Sequence, residues 1–111
     1  MTLDDALEQA GVSVAHYFVG GLYAKATSIP AGVVLTQHSH SFDHLSALMR
    51  GRATVTVDGV STVHEAPDLI TIEAGKRHEV AAITPVVWVC LHATDETDPE
   101  RIDATLISQK D

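Results

Sequence analysis

Cysteine is nearly absent from this chain, since Cys90 is the only one among 111 residues. An intramolecular disulfide is therefore excluded. Cys90 lies in the apolar stretch 88–91, which predicts a buried strand. Its thiol is expected to act as a small apolar side chain rather than as a nucleophile.

Basic residues are also scarce. Seven lysines and arginines stand against 15 aspartates and glutamates, which gives a net charge of −8 with neutral histidines. No basic stripe is available to neutralise phosphate groups, so neither nucleic acid nor an anionic membrane is an expected partner. The acidic residues gather near the two ends and are interpreted as solvated surface.

Long apolar runs are missing as well. No stretch approaches the 18 or so apolar residues of a membrane span. The first residues carry neither the basic nor the apolar region of a secretory signal. The sequence therefore predicts a cytoplasmic protein.

The chain does contain a series of short apolar segments, separated by Gly and Pro. Its length predicts one domain, 1–111. A short helix is predicted at 3–10, before Gly11. Alternation and turn residues then predict strands at 17–23 (with a bend at its two glycines), 25–29, 33–38, 45–50, 53–57, 60–65, 69–73, 78–83 and 86–93. Asp58-Gly59 predicts a type I′ hairpin. Many short, evenly spaced strands predict an all-β sandwich or small barrel.

Four histidines carry the strongest functional signal. His38, His40 and His44 lie in one short stretch, and His78 follows at the start of a later predicted strand. Residues i and i+2 of a strand point to the same face, so His38 and His40 can aim their imidazoles at one point, and His44 keeps that parity. Clustered imidazoles suit a divalent transition metal above all. The sequence therefore predicts a metal site.

The spacing of these histidines resembles a known family. Gly32, His38, His40, His44 and Gly51 follow the order Gly-x5-His-x-His-x3-His-x6-Gly. This is similar to the first motif of the cupin superfamily, in which a glutamate usually takes the place held here by His44. The match spans about 32–51.

A second cupin motif, at about 67–82, is matched less completely. Gly75 and His78 agree with it, whereas Pro67, Glu73 and Ala82 stand where the family usually has Gly, Pro and Asn. The resemblance covers residues 30–93 in all, which is most of the chain.

The resemblance implies a small jelly-roll (cupin) β-barrel, with metal held in its mouth by His38, His40 and His78. We expect His44 to be the fourth ligand, because imidazole ligates well and four-histidine cupins exist as a variant. A neutral histidine in place of a carboxylate leaves a divalent site more positive by one unit, which favours an anionic ligand. All-nitrogen ligation suits iron, manganese, nickel, zinc or copper, and the sequence leaves the metal open.

Strand parity also predicts the surroundings of the site. Thr36, Ser46 and Leu48 are expected to line it with the ligands. His92, near the end of the last strand, is either a candidate general base inside the barrel or a surface histidine. Few charged side chains are expected inside, so the pocket is predicted to be small and rather apolar.

Several functions remain open. The first is a metal-dependent enzyme of dioxygenase type that acts on a small organic substrate, with an isomerase or lyase as variants. The alternatives are a non-catalytic, metal-dependent module that binds a small ligand, and an accessory protein with an inherited site. The stretch 45–49 is apolar on both faces and needs cover on both, which predicts a homodimer. His16 and His64 are interpreted as structural.

Overall fold

The computed structural model describes residues 11–37, 43–94 and 97–98. The helix predicted at 3–10 lies outside the described residues, as do His38 and His40. The described chain forms strands β1 Ser13–Val19, β2 Leu22–Ile29, β3 Val34–Gln37, β4 His44–Arg50, β5 Arg52–Val57, β6 Val60–Glu65, β7 Asp68–Ile72, β8 His78–Ala82 and β9 Val86–Ala93.

The strands form two antiparallel sheets. A five-stranded sheet has the order β1-β2-β9-β4-β7, and a four-stranded sheet has the order β3-β8-β5-β6. One hydrophobic core joins side chains from both sheets, with Leu48 and Trp88 from the first and Val55 and Val80 from the second. The predicted all-β sandwich or barrel is therefore confirmed.

The first predicted strand needs correction, because the chain reverses inside it. Gly20 and Gly21 have φ angles of 59° and 77°, which only glycine adopts readily. They form the turn of a hairpin in which Val19 faces Leu22. The stretch 17–23 therefore belongs to two strands rather than to one bent strand, and β1 begins earlier, at Ser13.

The predicted hairpin at Asp58-Gly59 is present. Both residues have positive φ, 45° and 82°, as a type I′ turn requires. Val57 and Val60 face each other across it. The turn therefore fixes the register of β5 and β6.

Strand β9 runs through the centre of the five-stranded sheet and shows strict alternation. Val86, Trp88, Cys90 and His92 are buried, whereas the residues between them are only partly buried. Cys90 is 4% exposed, so it fills space in the core as predicted. The inward face of β9 leads from the core at Trp88 to a polar end at His92.

None of the described residues forms a helix long and apolar enough to cross a membrane.

Candidate functional site

Three buried histidines meet at one end of the barrel. His44 is the first residue of β4, His78 is the first residue of β8, and His92 lies near the end of β9. Their exposures are 5%, 1% and 3%. The ring centroids of His44 and His78 are 5.6 Å apart, and those of His44 and His92 are 4.9 Å apart. The cluster therefore joins the two sheets.

Strand pairing explains the approach of His44 and His92. Leu45 is the partner of Leu91 on the outward face of the sheet, so the residues next to them, His44 and His92, neighbour each other on the inward face. This answers the question that the sequence left open. His92 points into the barrel and is not a surface histidine.

Hydrogen bonds to two aspartates, Asp43 and Asp58, fix the segments that carry His44 and His78. The carboxylate of Asp43 accepts a 2.8 Å hydrogen bond from the backbone N–H of Ala74. The carboxylate of Asp58 accepts a 3.1 Å bond from the backbone N–H of Arg77, whose carbonyl accepts one from the N–H of Asp58. Residues directly before both histidines are thus tied to other loops, which limits movement of the imidazoles.

Of the predicted neighbours, two point inward and one does not. Ser46 and Leu48 are fully buried. Thr36 is exposed and lies opposite Glu79, while the adjacent Leu35 faces the core. The prediction for Thr36 is therefore wrong, because β3 has the opposite parity to the one assumed. Strand parity in β3 gives no support to the inferred direction of His38.

Tyr23 is a member of the cluster that the sequence did not reveal. It is fully buried, faces His92 across β2 and β9, and stacks on that imidazole at a centroid distance of 6.2 Å. A 2.7 Å hydrogen bond joins its hydroxyl to Nδ1 of His16. His16 therefore supports Tyr23, in keeping with its structural interpretation. The position of Tyr23 beside His92 could not be predicted, because the pairing of β2 with β9 is not encoded in the local sequence.

The inward face of β2 also holds a basic residue. Lys25 is partly buried and pairs with Cys90 on β9. Burial raises the pKa of the Cys90 thiol, while a hydrogen bond with Ser46 and the charge of Lys25 act against that rise. The Lys25 ammonium thus acts on the interior of the protein.

His64, by contrast, lies away from the cluster. Its Nδ1 is 2.7 Å from a carboxylate oxygen of Asp68, four residues further along the chain. This local pair agrees with the structural interpretation of His64.

The described residues supply part of the donor set that a metal would need. Within 11–37, 43–94 and 97–98, no group of three His, Cys, Asp or Glu side chains has the arrangement of a metal site. The donors that His44 and His78 offer are nevertheless of the right chemical type, since imidazole nitrogen suits divalent transition metals. Completing the set depends on His38 and His40.

The comparisons with known proteins point to one fold. The sequence profile of a family described as "Cupin domain" matches residues 26–92. No curated protein matches the chain. A cupin superfamily protein from Desulfitobacterium hafniense is similar in structure, with 18% identity, a TM-score of 0.66, and coverage of 76% of this chain and 78% of the other.

Two further solved structures show the same similarity. A conserved protein of unknown function from Streptococcus pyogenes has 19% identity and a TM-score of 0.66, with coverage of 80% of this chain and 79% of the other. Salicylate 1,2-dioxygenase from Pseudoaminobacter salicylatoxidans has 14% identity and a TM-score of 0.69, with coverage of 81% of this chain but 30% of the enzyme. At these identities the likeness shows the jelly-roll fold alone.

Proposed function

This chain belongs to the cupin family, and on that basis we propose that it is a metal-dependent enzyme of dioxygenase type that acts on a small organic substrate. Its metal would be a divalent transition ion, held by His38, His40, His44 and His78. The match to the family profile includes all four of these positions.

One observation carries the proposal: His44 and His78 are buried together, from different sheets, at one end of the barrel. Burying an imidazole costs free energy unless its nitrogens form hydrogen bonds or coordinate a cation. Coordination of a metal ion would offset that cost. Ile72 and Val80 are also buried at that end and exclude water. Both the donor type and its surroundings therefore suit a metal ion.

A bound ion with open positions would supply a Lewis-acidic centre at which dioxygen and an organic anion can meet. The chain's own residues would position the reactants. His92, which lies beside His44, would hold or transfer a proton as a general base. The stack of Tyr23 on His92 limits rotation of that imidazole. The dioxygenase type draws support from the shared fold with salicylate 1,2-dioxygenase, whose own activity is not thereby assigned to this chain.

Metal content tests the first half of the proposal. Purified protein is loaded with Fe²⁺, Mn²⁺, Ni²⁺, Cu²⁺ or Zn²⁺ in turn, dialysed, and analysed for metal per chain. We expect one ion per wild-type chain and its loss in His44→Ala and His78→Ala. His64→Ala is the matched control and should keep the metal, because His64 pairs with Asp68 away from the cluster. Equal metal content in all four proteins would contradict the proposed ligands.

Oxygen uptake tests the second half. Metal-loaded protein is assayed in an oxygen electrode with diketones, flavonols, catechols and salicylates. Uptake that depends on both metal and substrate supports the enzyme. Metal-loaded protein that binds one of these compounds without consuming oxygen would instead be a non-catalytic binding module.

We further propose that the chain acts as a homodimer, joined through the outward face of the five-stranded sheet. That face carries apolar side chains on every strand, among them Tyr17, Leu22, Leu45, Met49 and Leu69, which are 39–66% exposed. Strand register places Tyr17, Ala24, Leu91 and Leu45 in one row across four strands. Large exposed apolar surfaces of this kind mark protein interfaces. A second copy offers the same face, whose central side chains are apolar, so two acidic chains could meet there without apposing carboxylates.

A further inference from the structure

We propose that Tyr23 and His16 form a redox-active pair, in which Tyr23 gives up one electron while His16 takes the phenolic proton. The inference rests on the proposed function for its oxidant, which would be a redox-active metal ion at the histidine cluster. It adds a second activity to the chain, the transfer of oxidising equivalents from the buried site towards the surface.

A short hydrogen bond joins the two side chains. The hydroxyl of Tyr23 lies 2.7 Å from Nδ1 of His16, within the range in which a base takes a proton directly. Strand register explains the contact, because Tyr23 pairs with Phe18, and His16 lies two residues before Phe18 on the same face of β1. A neutral imidazole that carries its proton on Nε2 accepts the hydroxyl proton at Nδ1. A base is therefore in place for the phenol.

The proposed step needs no reactant besides the one-electron oxidant. One electron leaves the phenol for the oxidant, the O–H bond of Tyr23 breaks, and an N–H bond forms at Nδ1 of His16. The products are a neutral phenoxyl radical, an imidazolium and the reduced oxidant. A reductant that returns one electron reverses the step, because the proton then moves back from the imidazolium to the phenol oxygen.

Burial makes the proton transfer necessary. Tyr23 is 0% exposed, so loss of an electron alone would leave an unpaired positive charge in the interior, which is costly. Transfer of the proton places that charge on His16 instead. His16 is only partly buried, so water can solvate part of its imidazolium. The pair thus keeps the radical in the interior and the charge near the surface.

The neighbours of Tyr23 shield its ring. Phe18 on β1 and His92 on β9 are its partners on the two flanking strands, and both stack on it, at centroid distances of 4.9 Å and 6.2 Å. A ring without exposed surface meets neither water nor a second chain. A radical formed there is therefore protected from coupling with other molecules.

A row of rings leads from Tyr23 to the proposed metal site. His92 lies 6.2 Å from Tyr23 and 4.9 Å from His44, measured between ring centroids. An electron from Tyr23 can therefore reach an oxidised centre at His44 through short steps between neighbouring rings. An oxidant that has met no organic substrate would be reduced in this way before it damages its own ligands.

The chain is suited to a direct test, because it contains two tyrosines. Tyr17 is 58% exposed and would react first with a dissolved oxidant, so the experiment uses the full chain carrying Tyr17→Phe. The protein is treated with a chelator and illuminated with tris(bipyridine)ruthenium(II) and persulfate, which generates a ruthenium(III) oxidant. Transient absorption gives the rate of radical formation, and electron paramagnetic resonance of frozen samples identifies the radical.

We expect a phenoxyl radical in Tyr17→Phe and its loss when Tyr23→Phe is added. His16→Phe in the Tyr17→Phe background removes the base and keeps a ring beside Tyr23. It should slow radical formation about 10²-fold, the lower end of what a positioned base contributes. His64→Ala is the matched control and should leave the rate unchanged, because His64 pairs with Asp68 away from Tyr23.

Two outcomes would overturn the inference: Tyr17→Phe yields no phenoxyl radical, or the radical forms equally fast with His16→Phe. If His16→Phe does not fold, electron–nuclear double resonance of the Tyr17→Phe radical in D₂O decides the same point. A deuteron and an imidazole nitrogen coupled to the radical support the pair, and their absence refutes it. Metal content is measured separately, so a radical in a chain that takes up no metal would refute the metal site and leave the pair standing.

Discussion

The imidazole ring centroids of His44 and His92, on the neighbouring strands β4 and β9, lie 4.9 Å apart. The first occupies the place where the family pattern has a ligand, and the second lies outside both family motifs. Their contact means that a proposed ligand and a proposed proton-transfer group share one buried space. The two roles can be separated by experiment.

His92→Gln should reduce turnover without removing the metal. A positioned general base typically contributes a factor of about 10²–10⁴ to rate, so a loss of that size is expected in oxygen uptake. Metal per chain, measured on the same sample, should match wild type, whereas His44→Ala should lose the metal. If His92→Gln also loses the metal, His92 is a ligand and not a base.

Gly51→Ala should destabilise the fold strongly. Gly51 has a φ of 86°, and a Cβ there would overlap the carbonyl oxygen of Pro85 and lie 2.7 Å from Oγ1 of Thr84. Gly59→Ala is the control, since Gly59 has a φ of 82° but nothing within 4 Å of its Cβ position. The left-handed backbone alone costs about 1–2 kcal/mol.

Urea unfolding of both variants measures the difference. Gly59→Ala should lose about that amount, and Gly51→Ala should lose about 2 kcal/mol more, because backbone atoms cannot yield as a side chain can. Equal losses in the two variants would show that the loop of Thr84 and Pro85 moves aside.

The sequence predicted most of the fold because its strands and turns are locally encoded. Asp58-Gly59 specifies its hairpin through backbone conformation alone. The alternation of β9 likewise appears in the sequence, although not which of its faces is inward. That choice depends on the neighbouring strands, so the inward position of His92 had to come from the structure.

Strand parity offered His92 as one of two alternatives, and the family spacing predicted part of the candidate site. His44 and His78 were found in that way, and both are buried at one end of the barrel. Tyr23 was missed, since it joins the cluster only through the long-range pairing of β2 with β9. The prediction for Thr36 was wrong because it assumed that the even-numbered residues of β3 face inward like His44. In the structure Leu35 faces inward and Thr36 faces outward.

Alkaline pH should weaken the fold partly through Cys90. Burial raises the pKa of its thiol in the folded protein, whereas the unfolded chain ionises at the ordinary value. The folded state then holds more protons, so this contribution to stability is complete below the ordinary thiol pKa. It is lost as the pH rises through the folded-state pKa.

Cys90→Ala tests this by comparison with wild type in urea unfolding at about pH 7 and about pH 10, on either side of the ordinary thiol pKa. The other ionisable groups are the same in both proteins, so the difference between the two isolates the thiol. Wild type should lose more stability over this range than the variant. Parallel losses would mean that the thiol does not contribute.

Leu45→Glu should convert the proposed homodimer to a monomer. Leu45 is 39% exposed on the outward face of the five-stranded sheet, between Leu91 and Thr71 on the adjoining strands. A carboxylate there would be buried without a partner in each copy, and two would approach each other, which costs several kcal/mol.

Val60→Glu is the control, because Val60 is 68% exposed but lies at the hairpin tip of the other sheet. Sedimentation equilibrium should show dimers for wild type and Val60→Glu and monomers for Leu45→Glu. A wild-type monomer at all concentrations, or a dimer that tolerates Leu45→Glu, would place the apolar face outside any dimer interface.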